Sequence, residues 1–319
     1  MASLITGGTG LVGAELAHIL VKEGEEVVVF NRNIRHDRID DIEDKVKAVS
    51  GDLGDWSQVM NVVKDNKITD IYHMGAMLSR VSEDNHSGSF QANIMGSYYV
   101  LEAARLFNVK RMMFTSSIAT FGLGREDVVS DTTIQRPTMI YGVAKLYIEG
   151  LGRWYRNKFG LDFRSIRYPD VEGPSVRTPG HWVPYMIEDA VLGKQHDSLA
   201  PETRGTWMIS VQDAARAAYG VLHADKESIK MVNYNVTGPN DPVYAKDIEA
   251  AIKKIIPEFK VTYPPEQPGP GPRMGRIGRF DDSCAREEWG WKPEHPTVEQ
   301  IVEAFIEAMR AHPQRYGLK

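Results

Sequence analysis

The sequence predicts an α/β doubly wound fold, a parallel sheet with helices on both faces, followed by a smaller mixed α/β C-terminal lobe. Three observations carry that expectation. A short apolar strand opens the chain and runs straight into a glycine-rich turn and a helix. Strand-like and helix-like patterns then alternate through the first half. After Gly173-Pro174 the alternation loosens.

Residues 2–6 (Ala-Ser-Leu-Ile-Thr) form the first strand and residues 14–22 the first helix. Glu-Val-Val-Val-Phe at 26–30 reads as a buried strand, and 45–50 as a third. A helix is predicted over 56–65 and a fourth strand over 70–74. Apolar residues recur at helical spacing over 90–107. The fifth strand is 111–115, the next long helix 140–159 and the sixth strand 162–167. In the second half, 182–192, 211–222, 245–255 and 297–311 read as helices. Residues 264–272 (Pro-Pro-Glu-Gln-Pro-Gly-Pro-Gly-Pro) hold too many breakers for a regular element. The division is therefore 1–173 for the nucleotide-binding half and 174–319 for a substrate lobe, some of whose elements return to the core.

Bulk properties narrow the function. A formal charge of −5 over 319 residues disfavours a general nucleic-acid binder. Cys284 is the sole cysteine, so no intrachain disulfide forms, which suits a reducing compartment. No apolar run approaches a membrane span. The strand beginning at residue 2 leaves no room for a charged leader. The expectation is a cytoplasmic protein that binds neither nucleic acid nor membrane. The nine histidines are scattered, so no metal site is expected.

Gly7-Gly8-Thr9-Gly10-Leu11-Val12-Gly13 lies between the first strand and the first helix, the context that makes a glycine pattern a Rossmann dinucleotide fingerprint. Gly7 serves the tight turn, Gly10 the approach of a pyrophosphate to the helix N-terminus, and Gly13 the packing of helix on strand. Tyr141 and Lys145 lie four residues apart on the helix over 140–159, hence on one face. A free phenol titrates near ~10 and is a poor base. A cation about 4 Å away contributes roughly 4 kcal/mol at an effective dielectric of 20, so the pairing predicts a lowered phenol pKa. The fifth strand ends in Thr115-Ser116-Ser117, whose hydroxyls are placed to hold a substrate oxygen near that phenol.

The second strand ends in Phe30-Asn31-Arg32-Asn33. Folds that prefer NAD usually place an acid there for the ribose hydroxyls. None is present, and Arg32 offers a partner for a 2′-phosphate, with Arg35 close behind. The cofactor expectation is NAD(P), with NADP(H) favoured over NAD(H). Arg273, Arg276 and Arg279 read as a solvated loop, or as a clamp for an anionic substrate.

On these motifs the chain resembles the extended short-chain dehydrogenase/reductases (the NAD-dependent epimerase/dehydratase family) over nearly its whole length. Gly51-Asp52-Leu53 resembles the family's adenine-side segment. His73-Met74-Gly75-Ala76 is similar to its fourth-strand motif, Asn93-Ile94-Met95-Gly96 to the motif of the next helix, and 282–291 to its C-terminal signature. The resemblance implies Ser117, Tyr141 and Lys145 as catalytic residues, with Ser116 as the neighbour able to share the hydroxyl role. It also implies cofactor contacts from Gly7, Gly10, Leu11, Val12, Gly13, Asn31, Arg32, Asp52, Leu53, Met74, Gly75, Ala76, Tyr141, Lys145 and Tyr168.

Within the family, Met77-Leu78-Ser79, 135–142 and 155–169 resemble the L-threonine 3-dehydrogenase branch, which places Ser79 near the substrate. The chain departs from that branch at Asp170-Val171-Glu172-Gly173-Pro174, which looks more like the sugar-nucleotide branch with acids substituted. Asp170 and Glu172 are therefore read as surface acids or as contacts for a polar or cationic substrate.

The resulting expectation is an oxidoreductase that moves a hydride between a nicotinamide and a small secondary alcohol or ketone, of β-hydroxy amino acid type or similar. The alternatives are a sugar-nucleotide epimerase using the same triad and, more remotely, a non-catalytic cofactor-binding protein. The helices over 90–107 and 140–159, with Tyr98, Leu146, Trp154 and Tyr155, supply apolar surface for a homodimer.

Overall fold

In a computed structural model, which describes residues 1–123, 127–176, 178, 180–265 and 278–318, the first half follows the expected alternation. Strand β1 (Ala2–Thr6) leads into helix α1 (Leu11–Lys22), followed by β2 (Glu26–Asn31), β3 (Val46–Ser50), α2 (Trp56–Asp65) and β4 (Asp70–His73). Helix α3 (Gly96–Leu106), β5 (Arg111–Ser117), α4 (Ile140–Phe159) and β6 (Asp162–Tyr168) complete it. The lobe contributes α5 (Val183–Val191), α6 (Val211–His223), β7 (Asn233–Asn235), α7 (Ala245–Ile255) and α8 (Val298–Ala311).

Among the described residues the main sheet has seven strands in the order β3-β2-β1-β4-β5-β6-β7, all parallel. The order reverses between β1 and β4, and in open parallel sheets ligands settle in the crevice beyond such a reversal. Both faces are covered, which is why β1 is buried along its whole length and β2 reads as an unbroken Val-Val-Val-Phe run. One face packs α1 and α6 through Leu16, Leu20, Ala214 and Val221, and the other packs α2, α3 and α4 through Val63, Leu101 and Ile148.

Strand β7 was not visible in the pattern. Its three residues are too few for an alternation, and their polar side chains are buried by partners instead: Asn233 bonds Ser165 on β6 and Asn235 donates to Asp281 O. With α6, it returns from the second half to the first. A separate apolar core in the lobe joins α5, α7 and α8 through Met186, Ile248, Ile252 and Phe305.

The stretch over 90–107 is not one uniform helix. A π-helical segment, Phe90–Met95, precedes α3. It turns buried Asn93 inward, where the side chain accepts from Met77 N (2.7 Å) and donates to Met77 O (2.9 Å). Such wide turns are common where a helix must aim a residue at a site.

Candidate active site

The glycine turn is shaped by close backbone approach. Gly7 has φ +71°, and a Cβ there would lie 2.8 Å from Gly75 N in the loop after β4. A Cβ on Gly13 would lie 2.3 Å from Gly7 O, whereas one on Gly10 would meet only Gly7 O, at 2.9 Å. The helix ladder of α1 starts with Ala14 N–H to Gly10 O (3.1 Å), so the amides of Leu11, Val12 and Gly13 precede it at the positive end of the helix. This backbone cradle fits a dinucleotide diphosphate.

Met74, Gly75 and Ala76 line the reversal point beside it. Gly75 N–H donates to Thr6 Oγ1 (3.1 Å), and Thr6 bonds His73 Nδ1 (2.7 Å). His73 Nε2 bonds Ser97 Oγ (2.8 Å), which donates to Asn93 O (2.7 Å). Burial, with the Lys145 charge acting the same way, pushes His73 down to about 3, so the ring is neutral. His73 is thus the bonded strand-end residue its position suggests.

The adenosine end is more open. Asn31 Oδ1 accepts from Thr9 N (2.9 Å) and fixes the glycine turn. Asp52 Oδ1 accepts from Gly54 N (2.8 Å), while its Oδ2 lies 4.0 Å from Arg32 Nη1. Leu53 packs on the Gly75 backbone, where a Cβ would lie 2.7 Å from Leu53 Cδ1.

The structure brings Ser117, Tyr141 and Lys145 together. Ser117 ends β5, and its Oγ accepts from Ala119 N (3.2 Å), leaving the hydroxyl proton available to the Tyr141 phenol. Helix α4 approaches that turn closely: a Cβ on Gly142 would lie 2.3 Å from Ala119 O. Glu83 Oε1 accepts from Ile140 N (2.7 Å) at the start of α4 and pins the helix carrying Ser79 to it. Ser79 is partly buried at the first turn of that helix and makes no hydrogen bond among the described residues.

Lys145 is buried, with Nζ donating to Thr115 O (2.6 Å) and lying 4.7 Å from the Phe114 ring centroid and 5.4 Å from that of Tyr141. Burial pushes Lys145 down to about 7 against the opposing pull of Glu149. Burial raises the Tyr141 phenol to about 12, offset in part by the Ser117 hydroxyl. The expected lowering of the phenol is therefore absent in the free chain. Lys145 is aimed at a carbonyl and sits over the ring instead of beside the phenol oxygen.

Other residues depart from expectation. Ser116 faces the core, where its hydroxyl donates to Glu149 Oε1 (2.5 Å), so it cannot share the role of Ser117. Glu149 also takes Arg167 through Nε (2.9 Å) and Nη2 (2.7 Å), a wholly buried pair behind the triad. The Tyr168 phenol is spent on Ala214 O (2.7 Å) in the core, so that hydroxyl does not reach a cofactor.

Asp170 Oδ2 accepts from Thr206 (2.6 Å). Glu172 is a buried residue, not a surface acid: its Oε1 meets His181 Nε2 at 3.0 Å, while Oε2 is buried with no partner among the described residues. Burial raises Glu172. Burial pushes His181 down, but the Glu172 charge and hydrogen bond together, with Asp170, carry it up to about 9. Arg273 and Arg276 lie outside the described residues, and Arg279 is exposed, 3.4 Å from Asp241.

Glu83, Glu149 and His181 carried no signal in the sequence, because each acts on a partner far along the chain or inside an aperiodic stretch.

Comparison with known proteins places this geometry. The model of the NAD dependent epimerase/dehydratase family matches residues 3–237. The mitochondrial L-threonine 3-dehydrogenase of Bos taurus is 32% identical over 305 residues, covering 94% of this chain and 80% of its own. The L-threonine 3-dehydrogenase structure from Trypanosoma brucei superposes with a TM-score of 0.86 at 27% identity, covering 99% of this chain and 98% of its own. A monomeric L-threonine 3-dehydrogenase from a metagenome gives 0.83 at 25% identity, covering 97% and 99%.

Proposed function

Since this chain belongs to the NAD-dependent epimerase/dehydratase family, we propose that it is a dehydrogenase or reductase acting on a small polar secondary alcohol or its ketone. The observation that carries this reading is the convergence of the Ser117 and Tyr141 hydroxyls, one turn of helix from a buried ammonium. The nicotinamide, when bound, supplies the acceptor or donor of the hydride. Ser117 holds the substrate oxygen, its own oxygen anchored by Ala119 N–H. Tyr141 takes the alcohol proton, or returns it in the reverse direction. With the phenol at about 12 in the free chain, that role needs added positive charge at the site, which an oxidised nicotinamide would provide.

The lobe supports a substrate carrying hydrogen-bond donors or a cation, as a β-hydroxy amino acid does. Glu172 presents a buried carboxylate oxygen without a partner among the described residues, one residue before Gly173, which packs on Leu11 at the start of α1. The epimerase reading survives as the second choice because the family includes epimerases. Asp170 disfavours a sugar diphosphate there through like-charge repulsion, while the Glu172 charge is met by His181. An intact Ser117/Tyr141/Lys145 set opposes a purely cofactor-binding protein.

NADP(H) preference is supported by the missing acid at the end of β2 and by Arg32, whose side chain is 68% exposed and only loosely held by Asp52. Among the described residues no helix is long and apolar enough to cross a membrane, and a single cysteine suits the cytoplasm. A homodimer through α4 and the 90–107 segment is supported by exposed Phe90, Val143, Tyr147 and Trp154. Tyr98 and Leu146 are only partly exposed and Tyr155 is buried against Glu102, so of the four residues the sequence suggested only Trp154 lies on the exposed face. Sedimentation should give a dimer, and a clean monomer would remove that part of the proposal.

The functional test is a screen of β-hydroxy amino acids, small secondary alcohols and sugar nucleotides for absorbance change at the reduced-nicotinamide band. Net reduction of cofactor by an alcohol supports the proposal. Interconversion of sugar-nucleotide epimers without net reduction overturns it in favour of the epimerase.

A further inference from the structure

Three arginines follow β2, and their charges are met in different ways. Arg35 forks onto Asp37 through Nε (2.9 Å) and Nη2 (2.8 Å). Arg32 reaches out beside Asp52 in solvent. Arg38 is half-buried, and no carboxylate among the described residues comes within ion-pair distance of it. Its Nη2 donates to Ser175 O (3.2 Å), 137 residues along the chain. Burial lowers its pKa; the charged groups around it are Arg35 and Arg315 of like sign, with Asp37 and Tyr316 opposing. A guanidinium carries five N–H donors, and among the described residues the Arg38 side chain spends one of them, on a neutral carbonyl.

The place of that guanidinium is as informative as its isolation. Arg35 N–H donates to Thr9 Oγ1 (3.1 Å) within the glycine turn. Ser175 lies two residues past Gly173, where a Cβ would sit 3.0 Å from Leu11 Cδ1. The segment from 35 to 38 thus runs from the glycine turn to the lobe, past the start of α1. It is braced from behind. Ile39 is buried with Leu16 and Ala17 of α1, His18 Nε2 bonds Asp41 (2.8 Å), and Arg315 Nη2 bonds Asp40 (2.5 Å). The side chain is therefore set before any ligand arrives, which reduces the ordering cost of using it.

We propose that Arg38 supplies the positive charge that meets the diphosphate bridge of the dinucleotide, and that its bond to Ser175 ties filling of the cofactor site to the lobe segment carrying Asp170 and Glu172. The inference rests on the nicotinamide-dependent reading above. The glycine turn offers amides and a helix dipole, each a partial charge, whereas the diphosphate is fully ionic. Arg38 adds the full charge. Arg32 remains the residue for the ribose end, so the two arginines have separable signatures.

Direct titration of NAD(H) and NADP(H) into the full-length wild-type protein, Arg38→Ala and Arg38→Lys tests this. Thermal unfolding without cofactor checks that each variant is folded. Loss of a charge-assisted contact should weaken both cofactors alike, by roughly ten- to a hundredfold in Arg38→Ala, with Arg38→Lys between it and wild type. In wild type, NADH should also raise amide protection over 173–176, and Arg38→Ala should lose most of that gain. Unchanged affinity in Arg38→Ala overturns the proposal. So does a loss confined to NADP(H), which would move Arg38 to the 2′-phosphate. Should Arg38→Ala not fold, Arg38→Gln, which keeps much of the stem but loses the charge, decides by the same criterion. Wild-type protein that binds neither dinucleotide would refute the parent reading instead, a separate result.

Discussion

The floor and the rim of the cofactor cleft use the same chemical groups under opposite conditions. On the floor, Lys145 holds Thr115 O at 2.6 Å, and behind it Glu149 and Arg167 meet through two bonds in a dry interior. At the rim, Arg32 and Asp52 stand 4.0 Å apart in solvent. Burial makes the difference. A desolvated charge must find its partner at one geometry or the fold loses free energy, while an exposed pair contributes little and stays free to exchange partners. The floor is thus suited to hold reacting atoms in place, and the rim to choose among cofactors.

The largest expected effect is at the floor. Tyr141→Phe removes the phenolic oxygen and keeps the ring that Lys145 sits over. Turnover should fall by roughly 10²–10⁴-fold while cofactor affinity changes by less than about threefold. Steady-state kinetics beside a binding titration would check this, and near-normal turnover would show that the floor does not carry the chemistry.

Next comes Glu149→Gln, which probes the support and not the reaction. The substitution leaves Arg167 buried with Asp131 at 3.8 Å as its nearest acid. Breaking a buried pair costs about 3–5 kcal/mol, a fall in Tm of about 5–7 °C for a chain this long. An unchanged Tm in a calorimetric scan would mean that the pair is no firmer than the rim.

A pH series probes the floor without mutation. Lys145 titrates at about 7 in the fold against 10.5 ordinarily. Between those values the unfolded chain binds a proton that the folded chain does not, so stability climbs as pH rises from 7 to 10.5. His73, at about 3 against 6.5, acts in the same sense lower down, and stability drops as pH falls from 6.5 to 3. Lys145→Met should flatten the upper slope and, by removing a charge that helps depress His73, only shorten the lower one; two parallel curves would contradict the buried placement of Lys145.

How far the sequence could be read follows the same divide. The glycine turn, β1 to β6, and α4 with Tyr141 and Lys145 were legible because each is a local pattern of fixed period or spacing. Ser116 and Ser117 mark where legibility stops. They are adjacent and chemically identical, yet strand alternation sends one to Glu149 and leaves the other at the cleft. Choosing between them needs the identity of the partner on α4, 33 residues away. Glu172 and His181, Glu83 and Ile140, and Arg38 and Ser175 are pairings of the same kind, set by topology and not by any run of residues. Strand β7 was missed because its buried face is built from asparagines.

The smallest expected effect lies at the rim, where the proposed preference for NADP(H) would be set. Arg32→Ala removes an exposed cation whose only acidic neighbour within ion-pair distance, among the described residues, is Asp52. Exposed charge pairs are worth about 0.2–1 kcal/mol, so the preference for NADP(H) over NAD(H) should narrow by no more than about fivefold, with Tm unmoved. The sign of the change in NAD(H) affinity sharpens the comparison. Freed from Arg32, Asp52 can turn a carboxylate oxygen toward the ribose hydroxyls, the place usually held by an acid at the end of β2. A rise in NAD(H) affinity together with the fall for NADP(H) would make the rim a genuine switch between partners. Equal losses for both cofactors would make Arg32 a general anion contact and place the basis of selectivity elsewhere.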